Sequence, residues 1–386
     1  MKTTGVSIIG VGMTKFGEHW SKGLRDLMAE AGVKAILDSG VDGPDIDAIY
    51  GGSMSPGRLI GQEHIGALIA DQSGLNPIPA TRVEAACASG GLALREATLS
   101  IMSGQNDIVI AGGVEKMMDV QTPQAITTLG GAADMEWETS FGATFPSLYA
   151  LIARRHMYEF GTTEEQMAAV AVKNHRNACL NEFSQYCMNL TVEDVMNSGV
   201  VAEPLKLLDC SPLTDGAAAV ILAKDDVAKK YCDTPIKILA GAQASDTLAL
   251  HDREDLSRLR ATTHAANAVY KDTGLSPSDI DIAEVHDCFT IAEIVAIEDL
   301  GFFKKGEGGK ATEDGLTQRN SQISVNTSGG LKACGHPVGA TGIKQAVELT
   351  WQLRGDAGKR QVKCQYGLAH NVGGSGATAV VHILGR

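Results

Sequence analysis

The sequence predicts an α/β protein built from two related halves, and three observations carry that prediction. Short apolar, β-branched runs alternate with longer helical patterns through the first 117 residues, as expected where helices pack on a mostly parallel sheet. Three stretches then recur. Residues 3–14 (TTGVSIIGVGMT) are echoed by 236–245 (IKILAGAQAS), 88–104 by 336–355, and 215–224 (DGAAAVILAK) by 374–384 (GSGATAVVHIL). Recurrence of a whole supersecondary unit points to a duplicated fold. Finally, residues 118–204 change style to long helical pieces and polar turns, which read as an insertion in the first half.

Taken in order, 6–12 (VSIIGVG) has the composition of a strand, and 24–40 has the spacing of a helix that stops at Gly40. Residues 46–53 predict a strand, 63–75 a helix, 80–87 a strand, 88–104 a helix and 107–117 a strand. The strand-rich style returns at 210–224, and a linker falls near 229–237. The boundaries that follow are 1–117 with 205–233 for the N-terminal half, 118–204 for the insertion and 234–386 for the C-terminal half.

Composition narrows the function classes. The chain has 386 residues, 44% hydrophobic and 20% charged, enough for more than one core. A net charge of −13 with no basic block argues against nucleic acid as a partner. No apolar run approaches the ~18 residues of a membrane span, so no membrane association is expected. The eight cysteines contain no CxxC pair. Their scatter suits reduced thiols in a cytoplasmic protein rather than a disulfide framework.

Four clusters carry chemistry. Cys87 lies in EAACASGG, small residues on both sides, where an extended stretch gives way to a helix. A buried space-filling cysteine is one reading. The other is an attacked or attacking sulfur: small neighbours leave room for an acyl group, and a helix N-terminus lowers a thiol pKa. The second cluster is GLKACGHPVGATG, with His336 before a helix-opening proline. The two-half repeat places Cys87 and His336 at matching positions, so pseudo-symmetry brings them together. The third is EVHDCF, with His286, Asp287 and Cys288 at a strand-to-helix junction, the sheet edge where α/β folds bind ligands. Adjacent residues in one turn rarely all face one ion, so no metal site is expected there. The fourth, GLAHNVGGSGAT, reads as a hairpin or as a source of backbone N–H donors for a developing oxyanion.

These motifs in this order, CxS, HDCF, GHPVGATG and a C-terminal Gly-rich hairpin, resemble the thiolase family over essentially the whole chain. The resemblance implies two pseudo-symmetric βαβαβαββ halves in a five-layer α/β/α/β/α arrangement, with a loop domain over coenzyme A. It implies Cys87 as the acylated nucleophile, His336 as its base, and His286 in place of the asparagine that helps hold the thioester oxygen. The backbone N–H groups of Cys87 and Gly373 would form an oxyanion hole. Most members carry a second cysteine in a C-terminal CxG motif. Here Asn371-Val372-Gly373 stands there, so Cys288 is the expected second acid/base, an arrangement that resembles the sterol-carrier-protein type and its archaeal relatives.

The activity so implied is condensation of two acetyl-CoA to acetoacetyl-CoA, or the reverse thiolysis, through an acetyl-cysteine, feeding mevalonate synthesis. A degradative 3-ketoacyl-CoA thiolase of broader chain length and a catalytically weak scaffold subunit are the alternatives. No tightly bound cofactor is expected; coenzyme A thioesters are substrates. Expected partners are a second copy or a dimer of dimers, and a hydroxymethylglutaryl-CoA synthase with a small zinc-ribbon/OB-fold protein. Met117, Met118, Phe141, Phe145 and Leu148 are expected to line the acyl pocket. Arg154, Arg155, Lys173 and Arg176 are candidates for the coenzyme A phosphates, although a solvated helix face explains any one of them as well.

Overall fold

The computed structural model describes residues 3–386. The N-terminal half supplies β1 (Val6–Met13), β2 (Ala48–Gly52), β3 (Ala80–Val83) and β4 (Ile108–Glu115). A small hairpin of β5 (Val200–Ala202) and β6 (Leu205–Lys206) precedes β7 (Gly216–Lys224), which returns to the main sheet. The C-terminal half supplies β8 (Ile236–Ser245), β9 (Ile282–Glu284), β10 (Ser324–Val325), β11 (Tyr366–Gly373) and β12 (Thr378–Gly385).

The strand order is β10-β9-β11-β12-β8-β1-β7-β4-β2-β3, so each half repeats one five-strand order outward from the seam. Among the described residues, the halves join edge to edge at Val6↔Ile238, Ser7↔Lys237 and Ile8↔Ile236. The predicted mostly parallel sheet needs correcting. The outer three strands of each half are parallel, but β7 runs antiparallel to β4 and β1, and β12 runs antiparallel to β11 and β8. β7 follows the long insertion and can enter either way, a choice that alternation of element types does not encode, whereas β12 follows β11 through the short turn 374–377, which makes that pair antiparallel.

Helices Ser89–Met102 and Thr341–Arg354 form the middle layer. Leu94, Ala97 and Ile101 of one and Ile343, Ala346, Val347 and Leu353 of the other share a single buried core with strands of both halves. Each of the leucines, isoleucines and the valine among them contributes roughly 1.5–3 kcal/mol on burial, an upper figure, and each alanine less. Helix Leu24–Ser39 covers the outer face of the N-terminal sheet through Leu24, Leu27, Ala31 and Ala35. It ends, as its sequence predicts, at Gly40 with φ 69°. Ala265, Ala266 and Val269 of helix Arg260–Thr273 cover the opposite outer face. The fold is therefore the five-layer α/β/α/β/α arrangement, with both central helices opening toward the same region.

Close contact between the central helices depends on glycine. A Cβ at Gly342 would stand 2.1 Å from Gly91 N and 2.2 Å from Asn371 Oδ1. Both are fixed atoms, so Gly342→Ala forces the helices apart. We expect a loss of about 1–3 kcal/mol, read as a lower denaturation midpoint at unchanged m-value. An unchanged midpoint would contradict this packing.

The insertion lies across the C-terminal half. Lys173 and Asn174 of helix Glu164–Ala178 reach Glu293 at 2.7 Å and Asp287 at 2.7 Å, and Asn177 Nδ2 donates to Asn326 O at 3.0 Å. This overturns Lys173 as a coenzyme A ligand, because it is buried and committed to Glu293 and Val325 O. Arg154 and Arg155 pair with Glu203 and Glu159. The expectation of uniformly reduced thiols also fails: Cys179 and Cys187, eight positions apart, are bonded to each other. Among the described residues no helix is long and apolar enough to cross a membrane.

Candidate active site

The turn that presents Cys87 is held by its own neighbours. Ala86 adopts φ 51°, a left-handed conformation uncommon for a residue with a Cβ. Ser89 supports it: its hydroxyl donates to Ala86 O at 2.6 Å and accepts from Ala85 N at 2.9 Å. The CxS spacing thus has a mechanical purpose, closing a strained turn so that the sulfur projects from the start of the central helix. Cys87 is 9% exposed and sits in the wall of a cavity of about 280 Å³.

His286, Cys288 and His336 line the same cavity. Cys87 Sγ and one ring nitrogen from each of His286 and His336 lie within 4.8 Å of one another, and the two imidazoles meet edge to face at 5.0 Å. The pseudo-symmetric seam does bring Cys87 to His336. Cys288 approaches from the other side beside Tyr149, whose hydroxyl donates to Gly374 O at 3.1 Å and whose ring lies 4.8 Å from that of Phe289. The backbone group that faces the Cys87 sulfur, beside its own, is that of Gly374. It neighbours the expected donor Gly373, which stands opposite Thr378 at the end of the β11–β12 pairing.

Hydrogen bonding fixes the protonation of both imidazoles. Thr341 donates its one hydroxyl proton to Pro337 O at 3.1 Å, so it accepts Nδ1–H of His336 at 2.7 Å. Nε2 of His336 is left with a bare lone pair, the form a base requires. Thr214 Oγ1 accepts from His336 N at 2.9 Å and holds the turn. Asn371 Oδ1 accepts from Gly91 N at 3.0 Å, and its Nδ2 donates to Cys87 O at 2.9 Å and to His286 Nδ1 at 3.1 Å. His286 therefore carries its proton on Nε2 and is a donor. His370 continues the chain, accepting from His286 N at 3.5 Å through Nδ1 and meeting Thr262 Oγ1 at 2.8 Å through Nε2.

Burial, rather than the helix end, dominates the electrostatics. It pushes the Cys87 thiol up to about 12, against the lowering effect of backbone N–H groups at Gly374 and Cys87. It depresses His336 to about 3, and His286 well below its usual value with help from neighbouring His336. The lowered thiol pKa expected from sequence is thus reversed, and the resting pair is neutral thiol and neutral imidazole. Alkylation of Cys87 by iodoacetamide should consequently rise about tenfold per pH unit between about pH 7 and 10. A plateau near neutral pH, read by peptide mass, would contradict a neutral pair. Burial likewise raises Cys288 well above the usual thiol range, opposed by its contact with Tyr149. A thiolate there is a strong base.

Of the residues expected to shape the pocket, Met117 and Phe145 line the cavity. Phe141 is 79% exposed, and Leu148 packs into a core that the insertion shares with the C-terminal half, including Ile291 and Val295. Tyr149, Thr341, Thr214, His370 and the positive contribution of Asn371 are not evident from sequence. Asn371 reads there only as an absent cysteine, and Tyr149 lies in a helix with nothing to single it out.

Comparison with known proteins gives two family matches. Residues 6–226 match the model for "Thiolase, N-terminal domain", and residues 242–386 that for "Thiolase C-terminal domain-like". The chain is 61% identical over 383 residues to an acetyl-CoA acetyltransferase of Methanothermobacter thermautotrophicus, covering 99% of both chains. It is 51% identical to an acetyl-CoA acetyltransferase of Methanocaldococcus jannaschii, covering 98% of both. Among solved structures, the Ltp2-ChsH2(DUF35) aldolase matches with a TM-score of 0.86 at 25% identity, covering 100% of this chain and 99% of that one.

Proposed function

Because the chain belongs to the thiolase family and is an acyltransferase, we propose that it condenses two molecules of acetyl-CoA into acetoacetyl-CoA, releasing coenzyme A. The observation that carries this reading is the meeting of two cysteines and two oppositely protonated histidines in one apolar cavity.

Cys87 Sγ attacks the thioester carbonyl as its proton passes to the bare Nε2 of His336. The carbonyl oxygen becomes an oxyanion facing backbone N–H groups of Cys87 and Gly374. Collapse breaks the carbon–sulfur bond to coenzyme A, which leaves with the proton of Cys288. The enzyme is now acetylated on Cys87, with His336 doubly protonated and Cys288 a thiolate. A second acetyl-CoA binds with its thioester oxygen toward the N–H groups of His336 and His286. The Cys288 thiolate removes an α-proton, and the carbanion attacks the acetyl group on Cys87. Collapse expels the Cys87 sulfur, which recovers its proton from His336. Every group returns to its starting state, and the covalent intermediate makes the kinetics ping-pong. Residues 118–204 form the loop domain that covers the thioester in this reading.

Incubation with acetyl-CoA alone should yield acetoacetyl-CoA and free coenzyme A in equal amounts when the product is drained. Release of coenzyme A without acetoacetyl-CoA would reduce the protein to a hydrolase and overturn the proposal. A second reading, thiolysis of longer 3-ketoacyl chains, is favoured by the apolar lining from Met117, Ile126, Leu129, Phe145 and Val201. A series of acyl-CoA chain lengths decides between them by kcat/KM. The accessory assembly with a hydroxymethylglutaryl-CoA synthase and a zinc-ribbon/OB-fold protein stays within this proposal, with co-purification as its test. The aldolase neighbour whose title names a DUF35 component is compatible with it.

A further inference from the structure

Three ligand-capable atoms, Cys87 Sγ and a ring nitrogen each of His286 and His336, stand within 4.8 Å of one another in a buried cavity. One thiolate and two imidazoles at that spacing are a set that zinc takes readily. A nucleophile left this way is open to poisoning, since zinc strips the thiol of its proton and occupies the attacking lone pair. A group that makes one of the three unable to ligate while leaving it able to act on a thioester would protect the nucleophile.

We propose that Asn371 is that device: a positioning residue that locks the tautomer of His286, making it a permanent Nε2–H donor to the thioester oxygen and denying it to a metal ion. The inference deepens the condensation reading above and rests on it for the substrate oxygen. The amide cannot be turned round. Its Oδ1 is fixed by Gly91 N–H at 3.0 Å, and reversal would set that oxygen against Cys87 O, which Nδ2 now meets at 2.9 Å. The remaining Nδ2 hydrogen points at His286 Nδ1, 3.1 Å away. An amide nitrogen cannot accept, so Nδ1 must supply the lone pair. Nδ1 is then engaged and Nε2 is protonated, and neither nitrogen has a free pair for a metal. From the other side, Nδ1 of His370 takes the backbone N–H of His286 at 3.5 Å, which holds the ring's base in place. One side chain thus joins the start of the central helix, the nucleophile's carbonyl and the donor histidine, each of them buried.

A purely structural asparagine would account for lost stability or activity on mutation, but not for a fixed tautomer or for metal resistance. The test reads those two quantities. The first is a long-range ¹H–¹⁵N spectrum of histidine-labelled full-length protein, with His286 identified by the signal missing from His286→Gln. The expected result is a protonated Nε2 and a bare Nδ1; the reverse overturns the proposal. The second is a Zn²⁺ titration of wild type and Asn371→Ala, reading protection of Cys87 from iodoacetamide by peptide mass and its reversal by EDTA. In Asn371→Ala, His286 is free to present a bare Nε2, and Zn²⁺ should protect Cys87 with an affinity at least about tenfold above wild type. Equal protection in the two proteins overturns the proposal. Should Asn371→Ala fail to fold, the spectrum of the wild type decides alone. Neither readout needs acyl transfer, so an inactive enzyme with the expected tautomer sinks the condensation reading and leaves this one standing.

Discussion

Replacing Cys87 by alanine should leave a folded protein that never carries an acetyl group and whose condensation rate falls on the order of 10⁶-fold, the scale seen when a covalent nucleophile is deleted. The fold should survive because the turn is held by Ser89 and Asn371 through backbone atoms, none of which is the sulfur. Loss of the sulfur trims one side chain from a cavity wall and leaves the backbone N–H groups that faced it turned to the cavity. The effect should be on kcat, with substrate binding little changed, because the cavity lining is otherwise intact. Retained acetylation of Cys87→Ala, at any residue, would move the nucleophile elsewhere and break the link between the strained turn and the chemistry.

Cys288→Ala should separate the two halves of the reaction. Acetylation of Cys87 needs the attacking sulfur, His336 and the backbone donors, all of which remain. Coenzyme A is itself a thiol and leaves without strict need of an acid, so the acyl-enzyme still forms. Removal of the α-proton of the second acetyl-CoA needs a strong base, and the raised thiol at Cys288 is the group placed for it. We expect condensation to fall about 10²–10⁴-fold, with exchange of the methyl protons of acetyl-CoA into heavy water lost in parallel. Normal exchange in Cys288→Ala would assign the base to another group. Asn371 cannot be that group, since an amide has no proton to trade in this range.

The fold was legible because strand and helix periods alternate plainly and because the repeat at 3–14, 88–104 and 215–224 falls on β1, the first central helix and β7. The antiparallel entry of β7 was not, since hydrophobic pattern records burial and not direction, whereas the Gly-rich hairpin at 367–378 already sets β12 antiparallel to β11. The helix Thr341–Arg354 reads as amphipathic, yet its polar stripe never meets solvent. Lys344 is spent on Glu284 at 2.9 Å, Gln345 on His370 O at 2.8 Å and Glu348 on Arg360 at 2.8 Å. A polar residue satisfied inside the protein has the same letter as one satisfied by water.

At the site, the residues with unusual chemistry, Cys87, His286, Cys288 and His336, stand out in sequence by their glycine-rich or HDCF surroundings. The residues that set their protonation do not. Thr341 passes without notice inside GHPVGATG, and Asn371 reads as a gap in a motif. Their roles depend on which atom of a neighbour each one faces, and only three-dimensional proximity supplies that. The thiol pKa is not legible in the sequence for a related reason. A helix N-terminus is visible in sequence, but the removal of water that outweighs it is not.

The central claim is that one buried sulfur carries an acetyl group between two thioesters. Its most direct measurement is the mass of the intact protein after brief exposure to acetyl-CoA, followed by peptide mapping. The account predicts a gain of one acetyl group, located on Cys87 and discharged by adding coenzyme A. Acetylation at any other residue, or none while acetoacetyl-CoA accumulates, would contradict it.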